Sequence, residues 1–306
     1  MALTLAEASK LSNDFLLQGV VETIVKDSPV LKQLPFIEIW GNGLTYNQEK
    51  TLPGIDFYET GDTWAESTPT FDQKTANLKI MGGDADVDNF LKATRSNLQD
   101  LETAVVELKA KALKDKFDET FIYGSTASDP KQFDGLIELI DTGSAGDQLI
   151  AAGASGATLT LSMLDQLIDA VKGGKPDVLL MSRRSRRKIN ALVRASGTML
   201  ETDRDKWGSF IQYWDGIAIG VNDCILDTHT VNDSVETATT GGDCSTIYAI
   251  QFGEGGLCGL TAPGHLTVEH IGSLETKDAT RTRIKWYCSL ALFSAIKTAA
   301  LIGVKD

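Results

Sequence analysis

The chain has 306 residues, 42% hydrophobic and 23% charged, proportions of an ordinary globular protein that exclude disorder as its main state and leave room for about two domains. With 29 Lys and Arg against 42 Asp and Glu the formal charge is −13, so the basic footprint of a tight nucleic-acid binder is missing. Cys224, Cys244, Cys258 and Cys288 stand far apart, without a CxxC pair and with only three histidines in the chain, which signals neither a zinc site nor a disulfide framework.

Residues 1–5 lack a basic segment followed by an apolar one, and the apolar stretch 289–304 is interrupted by Lys297 and too short to span a bilayer. The expectation is synthesis in a reducing cytoplasm and no membrane partner. Residues 1–43 read as an arm. A short helical pattern (Phe15, Leu16, Val20, Ile24) is followed by Pro29, Pro35 and the turn Gly41-Asn42-Gly43, with too few apolar residues to fold alone.

Residues 44–49 alternate like a strand, and residues 70–81 offer a second strand-like run. Between them Pro53-Gly54 and Thr60-Gly61-Asp62-Thr63 are rich in turn formers and poor in core residues. A long two-stranded loop over 44–88 is predicted, and because isolated hairpins are marginal in water, a partner surface must hold it.

A long amphipathic helix follows. Over residues 96–121, Leu98, Leu101, Val105, Leu108 and Ala112 recur at three- and four-residue steps before Leu113, Phe117 and Phe121 drift around the cylinder. At about 1.5 Å per residue the segment is roughly 39 Å long, a strut across its domain. Leu101, Val105 and Leu108 are expected to face the core. Ser96 with Gln99 makes a capping-box start and Gly124 a stop.

A stretch rich in Gly, Ala and Ser at 142–158 marks a domain boundary, after which the pattern becomes α/β. Leu164, Leu167, Ile168 and Val171 make a helix face closed by Gly173-Gly174, residues 178–181 a buried strand, and Ser182 caps a helix carrying Ile189, Leu192 and Val193. Ile217, Ile219 and Val221 alternate, as do Thr282, Ile284, Trp286 and Cys288, and residues 299–304 read as a last strand.

Candidate sites are few. Arg183, Arg184, Arg186, Arg187 and Lys188 place five cations in six positions, but helical spacing scatters them and no aromatics interleave, so pairing with acidic neighbours, including those of another subunit, is favoured over a nucleic-acid patch. Asp84, Asp86 and Asp88 resemble half a calcium loop, yet Asn89 stands where its Gly is needed and Arg95 where its bidentate Glu is needed. Gly173-Gly174-Lys175-Pro176 lacks the spacing of a phosphate loop. His229, His265 and His270 show neither HExxH spacing nor a nearby GxSxG elbow. No catalytic, cofactor-binding or metal-ligating constellation emerges.

The order of these parts resembles the major capsid proteins of tailed bacteriophages over nearly the whole chain. The resemblance implies an α+β, HK97-like capsid fold: an N-terminal arm (1–43), an extended β-hairpin loop (44–88), a peripheral domain with a long spine helix (89–145), an axial domain (146–263), and C-terminal strands (264–306) returning to the peripheral domain beside the spine. Phe133-Asp134-Gly135-Leu136 is similar to the family's turn after the spine, and Trp214-Asp215-Gly216-Ile217 to its turn into the following strand.

The implied function is structural. Copies self-assemble as pentamers and hexamers into an icosahedral shell that encloses double-stranded DNA nonspecifically, as the virion capsid. A separate scaffolding protein, or assembly without one, is implied, with a portal and a cement protein as further implied partners and no cofactor. Tyr46, Lys50, Trp64, Arg183, Arg184, Arg186 and Arg187 are the expected inter-subunit contacts. Lys50 and Lys74 lie where some family members form Lys–Asn isopeptide links, but solvated loop lysines favour a noncovalent shell. Encapsulin nanocompartments, which share the architecture and hold enzymes, are the alternative, and an enzyme with a nonstandard site is a further one.

Overall fold

The computed structural model describes residues 28, 30–51, 53–90, 101–143, 148–197, 200–204, 210–232, 235–237 and 241–305. Two sheets flank one long helix. The first sheet has the order β1-β14-β15-β4, built from β1 (Phe36–Glu38), β14 (Leu257–Ser273), β15 (Ala279–Leu292) and β4 (Lys79–Asp88). β1 runs parallel to β14, and the other pairings are antiparallel.

The second sheet has eight strands in the order β5-β16-β13-β7-β10-β9-β8, with β6 also on β16. These are β5 (Leu149–Ala151), β6 (Ala157–Thr158), β7 (Val178–Met181), β8 (Glu201–Arg204), β9 (Phe210–Trp214), β10 (Ile217–Val221), β13 (Ser245–Ile250) and β16 (Thr298–Lys305). Two small ribbons complete the strands: β2 (Gly43–Thr51) with β3 (Thr70–Asn77), and β11 (Thr230–Asn232) with β12 (Val235–Thr237).

Helix α1 (Leu101–Tyr123) has 23 residues. Its buried stripe is Val106, Ala110, Leu113, Phe117 and Phe121, spaced by three and four and packed against Ala85, Ile284, Trp286 and Leu290 of the first sheet. The same core takes in Val178, Leu180, Tyr248 and Ile250 from one face of the second sheet. The alternate residues Leu179, Met181, Ile247 and Ala249 point to the other face, where α3 (Leu161–Ala170) and α4 (Arg183–Ala195) cover them. Strands with both faces covered read as unbroken apolar runs, which is why β7 is simply Val-Leu-Leu-Met and fully buried.

The expected phase of the long helix is wrong by about one residue. Leu108 is 65% exposed and Ala112 is exposed, while Val105 is only half-buried and the side chain of Leu101 lies outside the described set. Apolar residues occupy more than one side of this helix, and Ala110 and Phe117 set the phase because an aromatic cluster pulls that side inward. Phe117 stacks on Trp286 at 4.9 Å between ring centroids, and Phe36 and Phe133 lie 6.4 and 5.8 Å from it. Gly259 makes room for this cluster, since a Cβ there would collide with the Phe36 ring. The Ser96–Gln99 start falls among residues 91–100, outside the described residues, as do the helical pattern of the arm and the 145/146 boundary.

The loop is shorter than expected. Its second strand-like run splits at Leu78, and residues 79–88 form β4, paired along its whole length with β15. Ala85 and Val87 face the core, and Asp84 and Asp86 alternate outward to arginines of β15, so β4 has a sheet to join and leaves only 44–77 projecting. The C-terminal strands also divide. β14 starts before the expected boundary at 263/264 and crosses it through an irregularity between Thr261 and Leu266, and β16 joins the second sheet rather than lying beside α1. Residues 298–304 are buried on both faces, which suits an interior strand between β13 and β5.

Local turn chemistry sets the connections. Asp215 and Gly216 both have positive φ, 48° and 76°, the two-residue turn that matches the twist of the β9–β10 hairpin. After α1, the Gly135 amide donates to the Gly124 carbonyl at 2.8 Å and Asp134 accepts from the Thr126 amide at 2.7 Å, folding the chain back into α2 (Leu136–Gly143).

Candidate inter-subunit surfaces

Among the described residues, the β2–β3 hairpin is fastened to the rest of the chain near its base. Gln48 Nε2 donates to the Leu292 carbonyl at 2.5 Å, the Tyr46 ring meets Phe293 edge-on at 5.0 Å, and the Leu78 amide donates to the Asn42 carbonyl at 2.8 Å. Burial raises the Tyr46 hydroxyl pKa above its ordinary value. Beside the anchor is a cleft of about 380 Å³ lined by Tyr46, Lys74, Asn77, Asp134 and Leu139, among others, and desolvation there lowers the pKa of the Lys74 amine. In register, Tyr46 sits opposite Lys74, and the hydroxyls of Thr45 and Thr75 bond across the ribbon at 3.1 Å.

Beyond the base the ribbon has no core. Ile55 is 96% exposed and Trp64 77%, Phe57 is fully exposed, and Phe71 is exposed on β3. The tip is ordered by itself: Tyr58 stacks on Trp64 at 4.5 Å, the Ala65 amide donates to the Tyr58 hydroxyl at 3.1 Å, and the Gly54 amide donates to Ser67 Oγ. The ordered tip thus displays a cluster of large apolar side chains to solvent.

The second surface is α4. Ser182 accepts from the Ser185 amide as N-cap, and Ser185, Ile189 and Val193 are buried, which turns the cationic side outward. The Arg183 guanidinium forks onto both carboxylate oxygens of Asp223. Arg184 donates to the Asp243 carbonyl at 2.7 Å and lies 3.6 Å from Asp227. Arg186 and Arg187 are exposed.

The expected contact residues therefore separate into distinct environments. Trp64, Arg186 and Arg187 face outward, Arg183 is exposed as well but forks onto Asp223, Arg184 lies half-buried against Asp227, and Tyr46 packs on its own chain. The side chain of Lys50 lies outside the described set. Sequence reasoning missed Ile55 and Phe57, whose only signal was apolar side chains in a segment without periodicity. It also missed a cross-strand ladder in which Arg281 forks onto Asp86 at 2.6 and 2.7 Å and Arg283 onto Asp84 at 2.6 and 2.9 Å. These guanidinium groups hold both carboxyls below their ordinary pKa and occupy the oxygens that the half calcium loop offered. Among the described residues no group of three or more His, Cys, Asp or Glu is placed to hold a metal.

Solved structures share this fold across nearly the full chain. The Synechococcus elongatus holo-SrpI encapsulin complex matches with TM-score 0.67 at 18% identity, covering 90% of this chain and 87% of that one. The capsid of a native GTA particle matches with TM-score 0.63 at 15% identity over 92% and 90%. Mycobacterium phage Bobi matches with TM-score 0.59 at 16% identity over 91% and 90%. No curated protein sequence matches the chain. The family model described as SU10 major capsid protein matches residues 20–237, and the chain belongs to that family: it is a structural protein of a capsid shell with the HK97-like fold.

Proposed function

We propose that copies of this chain close into an icosahedral shell around double-stranded DNA, as the capsid of a virion made in the host cytoplasm. The carrying observation is the β2–β3 hairpin, fastened at its base and presenting Ile55, Phe57 and Trp64 to solvent on an ordered tip. Covering that apolar surface with another subunit removes it from water, and repeating the contact around closed symmetry produces a shell. In this reading residues 1–43 are the arm and 44–77 the loop, the first sheet with α1 is the peripheral part, and the second sheet is the axial part that surrounds five- and six-fold axes. The hairpin and the α4 face make the contacts, with Trp64, Arg186 and Arg187 at the interface and Tyr46, Lys50, Arg183 and Arg184 supporting it.

The acidic chain supports containment of DNA without gripping it, because net repulsion keeps a packaged duplex from adhering to the wall. A scaffolding protein, a portal and a cement protein complete the proposed set of partners. Negative-stain imaging of the purified protein tests the shell, and nuclease-protected DNA in particles from infected cells tests the content. Particles filled with an enzyme cargo and free of DNA would instead establish the encapsulin alternative.

A further inference from the structure

The tip of the hairpin and the outer side of α4 are opposite in charge. Residues 53–69 contain Asp56, Glu59, Asp62 and Glu66 and no lysine or arginine. α4, Arg-Arg-Ser-Arg-Arg-Lys-Ile-Asn-Ala-Leu-Val-Arg-Ala, has cations and no carboxylate. In a chain of net charge −13 copies repel on balance, so a contact between them is favoured where acidic surface meets concentrated basic surface.

Both surfaces are open. The hydrogen bonds and the ring stack of the tip close on the tip itself, and Asp56, Glu59, Asp62, Trp64 and Glu66 are exposed. On α4 the buried residues Ser185, Ile189 and Val193 define the inner side, and Arg186, Arg187 and Arg194 are exposed. Arg183 and Arg184 engage Asp223 and Asp227 in the first turn, and Arg186, Lys188 and Arg194 carry the cationic character further along the helix. The Tyr58–Trp64 stack also offers a flat aromatic face of the kind on which guanidinium groups settle.

We propose that the hairpin tip of one copy seats on the α4 face of a second copy. Asp56, Glu59, Asp62 and Glu66 meet Arg186, Arg187, Lys188 and Arg194, and an arginine lies over the Trp64 indole. The pairing rests on the shell reading above and names the partner of each surface. A nine-residue strand at about 3.3 Å per residue carries the tip roughly 30 Å from its base, far enough to reach an adjacent subunit. DNA could occupy the α4 face but would leave the acidic, aromatic tip unmatched. A second copy satisfies both surfaces at once.

A carbodiimide, which joins a carboxylate to an amine without a spacer, tests this on shells assembled from a mixture of isotope-labelled and unlabelled chains. Mass spectrometry is expected to find mixed-isotope links between Lys188 and the carboxylates of residues 53–69. Links from those carboxylates to other lysines, with none to Lys188, would overturn the pairing and leave the shell reading standing. In parallel, Arg186→Glu with Arg187→Glu, or Glu59→Lys with Asp62→Lys, is expected to lower shell yield by about tenfold or more, and combining both pairs in one chain to restore it. Undiminished assembly of either variant would count against the pairing, as would normal shells that have only lost their DNA. The cross-link needs no variant, so it decides the matter even if charge reversal unfolds the subunit. An unmodified chain that forms no shell would overturn the shell reading and the pairing with it.

Discussion

Asp118 sits on the buried side of α1, 3% exposed, and accepts a 2.7 Å hydrogen bond from the Ser28 hydroxyl, which in turn accepts from the Leu31 amide. This small network ties the end of the arm to the long helix. Desolvation raises the carboxyl pKa from 3.8 to about 6, and Lys114, 3.8 Å away, only partly offsets it. A carboxyl raised in the folded state contributes stability that is complete below the unfolded value of 3.8 and is lost as pH rises through about 6. Each tenfold change in proton affinity is worth about 1.4 kcal/mol, so the ionised form costs on the order of 3 kcal/mol at pH 8. Asp118→Asn keeps the acceptor for Ser28 and removes the charge. Its thermal unfolding should exceed that of the parent at about pH 8 by an amount equivalent to roughly 2 kcal/mol, and the advantage should vanish below about pH 4. An equal advantage at both pH values would show that ionisation is not its source. The helix phase is a second residue-scale matter. Val106→Asp buries an unpaired charge and should cost several kcal/mol, on the order of 3 or more, whereas Leu108→Asp on the exposed side should change the melting temperature little.

At the scale of elements, the hairpin and the sheets are separate in their stability. Among the described residues the ribbon beyond Gln48 adds none to the main core, while β4, which follows it directly, is locked into the first sheet by pairing and by the Asp84 and Asp86 ion pairs. Deleting residues 54–68 should therefore leave a subunit with nearly parental thermal stability that no longer closes shells. Loss of the folded subunit would mean that the tip supports its own chain, and normal shells would mean that the tip is not an assembly element. Calorimetry together with sedimentation distinguishes these outcomes. α4 behaves in the opposite way, since Ile189 and Val193 are buried and its cationic side can be altered without touching that packing.

For the whole molecule, noncovalent contact is the expected bond between copies. Lys74 is half-buried at the base of the hairpin with its pKa lowered by desolvation, so it is the lysine to watch for covalent chemistry, but reaction needs an aligned Asn and a carboxylate on a neighbour. Denaturing electrophoresis of mature particles should give one band near the 33.0 kDa chain mass. A ladder that survives boiling and reductant would refute this, and Lys74→Arg would then be the first variant to test for its disappearance.

By itself the sequence determined what local periodicity and turn chemistry can encode. Ser182 with its downstream apolar residues specified α4, Asp215-Gly216 specified a hairpin turn, and the alternation of Thr282, Ile284, Trp286 and Cys288 specified the buried face of β15, because each depends on near neighbours in the chain. The order of the elements was enough to expect the capsid fold. Tertiary structure decided the rest. A helix with apolar residues on several sides takes its phase from whatever packs on it, and Phe36, Phe133 and Trp286, brought together from three other parts of the chain, chose Phe117 over Leu108. Whether residues 79–88 project or pair, and which sheet residues 298–305 join, depended on the partner strands β15 and β13. That Arg183 and Arg184 pair within the chain likewise depended on Asp223 and Asp227, some forty residues away in sequence, because an ion pair forms only where folding brings its two ends within a few ångströms.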